Sequence, residues 1–239
     1  MKKIVAIVVL LGLFSCSEKE VQLPQAEVSV LKDIVDHSPI YMFFEIQNKK
    51  DTIIDVNRKN SISSTNWVFN IDKRLPLKLV IPEVIKLQEK KANSAHSKKD
   101  AIDVFSYSDS IGKNLAFFPF TDVKYKLDKE FSKFFIKKHA TEYTPYHNFT
   151  INFNKKNVIT IDGLEVDRDE FVAFIKEFSD FTNDGKLIML HLNFDKNLTY
   201  GDYIKNKILA WQATNKKVQL SSFEFIYDEK QLPECGCKL

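Results

Sequence analysis

Glycine is scarce in this chain: six in 239 residues, one of them inside the hydrophobic start. The other five, Gly112, Gly163, Gly185, Gly201 and Gly236, stand too far apart to form a phosphate-cradling loop or a dinucleotide fingerprint. Gly-x-Ser-x-Gly and His-Glu-x-x-His are also absent, which removes the commonest hydrolase and zinc-protease signatures. Charge of either sign is not in excess: 35 Lys and Arg stand against 32 Asp and Glu. A nucleic-acid binder gains affinity by releasing counterions from a basic face, so this balance argues against one. Beyond the first fifteen residues no apolar run is long enough to cross a bilayer.

What is present begins with an address. Lys2 and Lys3 precede the apolar run "IVAIVVLLGLF", the arrangement of a signal peptide over residues 1–15. The run ends in Leu13-Phe14-Ser15-Cys16, which resembles the lipobox of bacterial lipoproteins. That resemblance implies cleavage before Cys16, lipid on its sulfur and acylation of the new amine, and so a membrane contact made through a lipid anchor. More than one acyl chain holds a protein on a membrane stably where a single chain does not. The alternative is an ordinary signal peptide that happens to end in Cys. Cleavage removes Lys2 and Lys3 and leaves a net charge near +1. Ser17 after the Cys resembles the sorting signal for the outer membrane, and the acidic "SEKE" leans towards surface export. The face on which the protein stands is open. The other two cysteines, Cys235 and Cys237, lie in the tail "LPECGCKL" (229–239) and read as a disulfide or a crosslink. Two ligands are too few for a structural zinc.

Residues 16–37 read as a charged tether, and 38–120 as a first α+β unit. "IYMFFEI", "TIIDVNR" and "TNWVFNID" carry β-branched and aromatic residues in strand-length runs. Leu77, Val80, Ile81, Val84, Ile85 and Leu87 recur at helical spacing, with Pro82 expected to mark the start of the regular helix or a kink. "AIDVFSYS" and "LAFFPF" follow as strands. Residues 121–145 read as a connecting helix and linker, in which Leu127, Phe131, Phe134 and Phe135 share a side.

The second unit, 146–228, is the more legible. "NFTINF" and "VITID" form a strand pair, and Asp167 with Glu170 reads as a capping box for a helix. Phe171, Phe174, Ile175, Phe178 and Phe181 mark its buried face. "KLIMLHLNF" is apolar enough for a strand covered on both sides. Thr199 and Asp202 cap a second helix whose buried side is Tyr200, Ile204, Ile208 and Trp211. "KVQLSSFEFIY" changes phase at Ser221-Ser222, as a bulge does, and is expected at an exposed sheet edge open to partner strands. The fold class is therefore α+β, a small mixed sheet with two helices in the order strand, strand, helix, strand, helix, strand.

That order, with Ile159–Gly163 ("ITIDG"), Leu190–Lys196 ("LHLNFDK") and Thr199–Tyr203 ("TYGDY"), resembles the periplasmic domain of the ExbD/TolR family of biopolymer-transport proteins. The glycine usual before the last strand is replaced by Asn215-Lys216-Lys217. The family's transmembrane helix carries an Asp used in proton coupling, whereas this chain's apolar segment has no acidic residue. The resemblance therefore implies the family's dimerisation, and its contact with transport-motor partners or cell-wall polymer, without the motor.

"DVNRKNSI" (55–62) and "NFNKKNVI" (152–159) nearly repeat one another. Aligned on this phrase, the first half reads as a diverged copy of the second, with Val84-Ile85-Lys86 beside Phe174-Ile175-Lys176 and the second helix missing. The alternative is two independent Asn-rich turns.

Catalytic, cofactor and metal residues are expected to be none. His37, His96, His139, His147 and His191 are scattered, and His191 reads as a hydrogen-bonded core residue. Asp180-Phe181-Thr182-Asn183-Asp184-Gly185 imitates half a calcium loop but lacks the closing Glu, with His191 at the twelfth position. Asp167, Asp169 and Glu170 suit a helix start as well as a carboxylate site. The expected function is non-enzymatic docking, including self-association. An envelope enzyme acting on glycans and an apolar-ligand carrier are the alternatives; paired carboxylates in a cleft or a large apolar cavity would mark them.

Overall fold

The computed structural model describes residues 19–232 except 49 and 183. Cys16, Cys235 and Cys237, and with them the signal peptide and most of the tail, lie outside the described residues. The fold is mixed α+β, with five α-helices and two six-stranded mixed sheets among those residues.

In the first sheet β1 is Gln25–Ala26, β2 His37–Gln47, β3 Asp51–Asn57 and β4 Asn66–Ile71; α1 (Leu77–Ala92) then leads to β5 (Asp103–Asp109) and β6 (Asn114–Pro119). The order is β3-β2-β4-β5, antiparallel between β2 and β3 and parallel from β2 through β4 to β5. β6 pairs antiparallel with β5, and β1 adds two parallel residues to the end of β5. In the second half β7 is Lys124–Asp128, α2 Ser132–Lys138, α3 Ala140–Tyr143, β8 Tyr146–Phe153, β9 Ile159–Ile161 and β10 Leu164–Glu165. Then come α4 (Phe171–Phe181), β11 (Leu187–Asp195), α5 (Tyr200–Gln212) and β12 (Val218–Tyr227). This sheet runs β10-β9-β8-β11-β12-β7. One apolar core joins both halves: Phe105 stacks on Phe120 at 3.7 Å and receives the edges of Tyr200 and Tyr203.

The two halves share a topology. β3-β2-β4-β5 in the first repeats β9-β8-β11-β12 in the second, with the same parallel and antiparallel relations. The matching phrases are Asn70-Ile71-Asp72-Lys73-Arg74-Leu75-Pro76-Leu77 and Asn193-Phe194-Asp195-Lys196-Asn197-Leu198-Thr199-Tyr200, each a strand end running into a helix. These two turns touch and exchange equivalent bonds. The Tyr200 amide donates to the Leu75 carbonyl at 2.8 Å, and the Leu77 amide to that of Leu198 at 3.0 Å. Gly201 donates to Lys73 at 2.9 Å, and Lys78 to Lys196 at 2.8 Å. Pro76 and Thr199 form the bridge at the centre, so a pseudo-two-fold axis passes between them.

This geometry corrects the alignment drawn from the Asn-rich phrases. α1 corresponds to α5, so the element missing from the first half is the earlier helix, the counterpart of α4. Asn57-Arg58-Lys59-Asn60 follows β3, whereas Asn154-Lys155-Lys156-Asn157 closes the β8–β9 hairpin. The turn equivalent to the latter lies between β2 and β3 and begins at Asn48. Both phrases serve local turn chemistry: Asn154 Oδ1 accepts from the Lys156 amide at 2.9 Å, and Asn57 Oδ1 from that of Lys59 at 3.2 Å.

Other expectations change with it. Residues 121–145 contain β7, which pairs with β12 from Phe223 to Tyr227, so that half of β12, with Glu224 in it, is interior and is not the exposed edge expected. Residues 20–37 are built into the fold. The Lys73 amide donates to the Gln22 carbonyl at 2.8 Å, and Ile34 packs with Val68, Val104 and Phe117. α1 starts at Leu77 and carries Pro82 within it. The Asp167–Glu170 capping box does not form: Glu170 is the residue before α4, with no side-chain cap bond, and Asp167 stays in the loop. Of the expected face of α4, Phe171 and Ile175 are buried, Phe174 and Phe178 are half-buried, and Phe181 is 89 % exposed. The Thr199–Asp202 cap does form, with the Asp202 amide donating to the Thr199 hydroxyl at 3.1 Å. The β12 bulge also forms, where the register against β11 shifts between Leu220 and Glu224.

Candidate functional site

The histidines stay apart. His37 bonds the Ile34 carbonyl at 3.1 Å, His139 packs at a tilt against Phe135, His147 pairs with Asp184 at 2.9 Å, and His96 is exposed. His191 is fully buried on β11 with Nε2 2.9 Å from Asn148 Oδ1, and burial pulls its pKa down to about 4. It is therefore neutral at pH 7, as a core histidine should be. Asp184, in the segment that imitates half a calcium loop, is paired with His147 of β8, and that contact holds its carboxyl below the ordinary range. Asp167, Asp169 and Glu170 are exposed and share no partner among the described hydrogen bonds. No cluster of three His, Cys, Asp or Glu able to hold a metal occurs among the described residues.

Three polar assemblies stand out instead. The first lies at the seam between the halves. Lys207 on α5 reaches Glu224 of β12 at 2.6 Å, and the Tyr203 hydroxyl donates to the other Glu224 oxygen at 2.7 Å. Tyr125 of β7 extends the chain to Tyr203 at 3.1 Å. The Lys207 ammonium also lies over the rings of Phe118 at 5.0 Å and Phe105 at 5.8 Å, both from the first half. Burial first, then the Glu224 charge, holds the Tyr203 phenol well above its ordinary pKa, so it remains a donor.

The second lies under a groove of about 630 Å³ between α1, β5 and the 121–125 segment. Lys91 and Asp103, both buried, form an ion pair there, with Lys91 also 5.0 Å from the Trp67 ring. Desolvation raises the Asp103 carboxyl despite that partner. Lys98, Lys99 and Lys124 line the same groove beside Glu89. Asp103 is committed to Lys91, while the lysines at the rim suit an anionic group.

The third is a polar row on the face of the second sheet covered by α2 and α3. Asn193 accepts from the Ser132 amide at 2.8 Å and donates to the Ser132 hydroxyl at 2.8 Å, which fixes the start of α2. A cavity of about 80 Å³ opens beside it, where Asn152 Oδ1 and Thr160 Oγ1 have no protein partner. It has room for water and little more.

Neither buried ion pair was anticipated from the sequence, yet the signal was there. Lys91 lies four residues after Leu87, and Lys207 follows Tyr203 and Ile204, so both extend apolar helix stripes. A lysine on such a stripe needs a buried carboxylate, and Asp103 and Glu224 each stand on the strand that follows the helix. No protein family, no curated protein and no solved structure matches this chain.

Proposed function

We propose that this chain is a lipid-anchored protein of the bacterial envelope that works by docking, as two units like the ExbD/TolR periplasmic domain joined in tandem. The observation that carries the reading is the pseudo-two-fold seam, where Leu75, Leu77, Lys73 and Lys78 exchange backbone bonds with their counterparts Leu198, Tyr200, Lys196 and Gly201. Units of a family that dimerises are, on this reading, paired within one chain. The seam that two copies would use is then occupied internally, so self-association through it is replaced by a covalent pair. The remaining surface is free for a transport-motor component or a cell-wall polymer.

Two measurements test this. Cys16→Ser should abolish membrane retention and leave uncleaved precursor, because lipid is added to the thiol before the leader is cut. A variant that matures and fractionates like wild type refutes the anchor. Sedimentation of the detergent-solubilised chain should give a monomer. A dimer that dissociates when the seam is altered refutes the internal pairing.

A further inference from the structure

The β2–β3 hairpin is longer than its counterpart in the second half, and the extra length stands outside the sheet. β4 accompanies β2 only to the Met42–Ile71 pair, yet β2 and β3 continue together to Gln47 and Asp51. The projecting ribbon is apolar on both sides: Phe43 and Ile53 alternate with Phe44, Ile46 and Ile54. None of these five is buried, and Ile46 near the tip is 61 % exposed. Tyr41, 38 % exposed, stacks on Phe43 at its base. Phe44 and Ile54 pack against the core, with the Arg74 guanidinium 4.4 Å from the Phe44 ring, whereas Phe43, Ile46 and Ile53 belong to no core cluster among the described residues. A two-stranded ribbon left open on one face lacks part of the packing that normally sustains one.

The start of the described chain lies on this ribbon. The Lys19 ammonium bonds Glu45 and Asp55 and sits 5.9 Å from the Phe43 ring. That one ammonium offsets half the charge of the two carboxylates that would oppose an anionic surface. Lys19 is three residue steps from Cys16, a span of at most about 11 Å when fully extended. A diacylglycerol on Cys16 would lie in the bilayer, so this short span holds the ribbon at the headgroups.

We propose that the β2–β3 ribbon inserts its aromatic and aliphatic side chains into the interfacial layer of the membrane that holds the lipid anchor. Tyr41 and Phe43 supply rings suited to the headgroup level, and Ile46 with Ile53 supplies apolar area to bury. The inference rests on the lipidation of Cys16. It goes beyond it by fixing which face of the protein meets the lipid, and so which face is left for partners.

The test uses the full lipidated protein in phosphatidylethanolamine–phosphatidylglycerol vesicles whose acyl chains are brominated near the headgroup, with the lipid on Cys16 first verified by mass. Ile46→Trp places a fluorophore on the ribbon, and Val35→Trp places one just before the far end of β2, whose nine steps from His37 to Ile46 span roughly 30 Å at about 3.3 Å each. Val35 is also exposed, and Trp67 and Trp211 provide a common background. The bromolipid should quench the added emission of Ile46→Trp at least twofold more than that of Val35→Trp. Equal quenching on lipid-bearing protein overturns the ribbon's insertion and leaves the anchor standing. Absence of lipid on Cys16 overturns both.

Discussion

Removing the Glu224 carboxylate tests whether the seam is held by a coupled charge pair. Lys207 and Glu224 side chains are 1 % and 4 % exposed, so neither can turn to water when the other is lost. Glu224→Ala strands the ammonium against Phe105 and Phe118 and deprives the Tyr203 hydroxyl of its acceptor. Breaking one side of such a pair costs about 3–5 kcal/mol. In a chain of this size that is a fall in Tm of roughly 6–20 °C. Glu224→Gln keeps the shape and should fall between Ala and wild type. The decisive variant is Lys207→Met with Glu224→Leu, because replacing both ions with apolar groups removes the unpaired charge as well as the pair. It should recover most of the loss, giving a coupling of several kcal/mol in the double-mutant cycle. Urea unfolding followed by circular dichroism measures wild type, Glu224→Ala, Glu224→Gln, the singles Lys207→Met and Glu224→Leu, and the double variant. Additive losses, with the double variant as unstable as the two singles combined, would refute the argument.

Acid should destabilise the fold partly through His191, whose folded-state pKa near 4 lies below the ordinary value of 6.5. The unfolded chain then binds the extra proton, so this contribution is full above pH 6.5 and fades as pH falls towards 4, by about 3 kcal/mol in all. His191→Gln should flatten urea midpoints between pH 6.5 and 4.5 relative to wild type, and an unchanged slope would count against it. Phe171→Ala should cost about 3–5 kcal/mol and Phe174→Ala clearly less, since only Phe171 is fully buried; equal losses in urea would mean the α4 face is wrongly described. Gly201→Val should cost about 1–3 kcal/mol, because a Cβ there lies 3.2 Å from both the Cβ and the carbonyl oxygen of Lys73. Its Tm should drop, while Lys78→Ala at the symmetry-related position should leave Tm nearly unchanged.

The sequence was most legible where local chemistry decides the structure. Alternation and β-branching placed β2, β3, β4, β8 and β11, and the Thr199–Asp202 pair located the start of α5 to the residue. It was least legible where tertiary pairing decides. β7 is the short, lysine-bearing stretch Lys124-Tyr125-Lys126-Leu127-Asp128, whose periodicity is indistinct and whose strand state comes from the partner β12. Asp167 and Glu170 carry a sound capping pattern, but the chain at Val166 is still occupied with pairing, its amide bonded to the Ile159 carbonyl at 3.0 Å. The helix therefore begins later than its signal. The buried ion pairs were hidden for a related reason: each lysine is local to a helix, while its carboxylate is 12 or 17 residues away on a strand.

The repeat shows the same division between local and distant causes. An Asn-basic-Lys-Asn phrase recurs because Asn suits turns, Asn57 and Asn154 each accepting the amide two residues on at 3.2 Å and 2.9 Å, and so it says little about kinship. The phrases beginning at Asn70 and Asn193 carry more constraints at once. Asp72 and Asp195 each accept the amide two residues on, from Arg74 at 3.0 Å and Asn197 at 2.7 Å. Leu75 and Leu198 are both buried, and each offers its carbonyl to the opposite half. Asn70 and Asn193 each donate to the carbonyl two residues back, at 3.4 Å and 3.2 Å. A local turn explains the Asp and its amide, but not a leucine whose carbonyl is needed across the axis. Only a pair of like units facing each other asks for the same residue on both sides. The eight residues between β3 and β4, which replace the missing helix, are tied down differently, through Trp67 Nε1 and the Thr65 hydroxyl bonding the Ile62 carbonyl. The likeness between the halves is thus densest at the seam and absent from the link far from it, as expected if the contact between units is what the fold depends on.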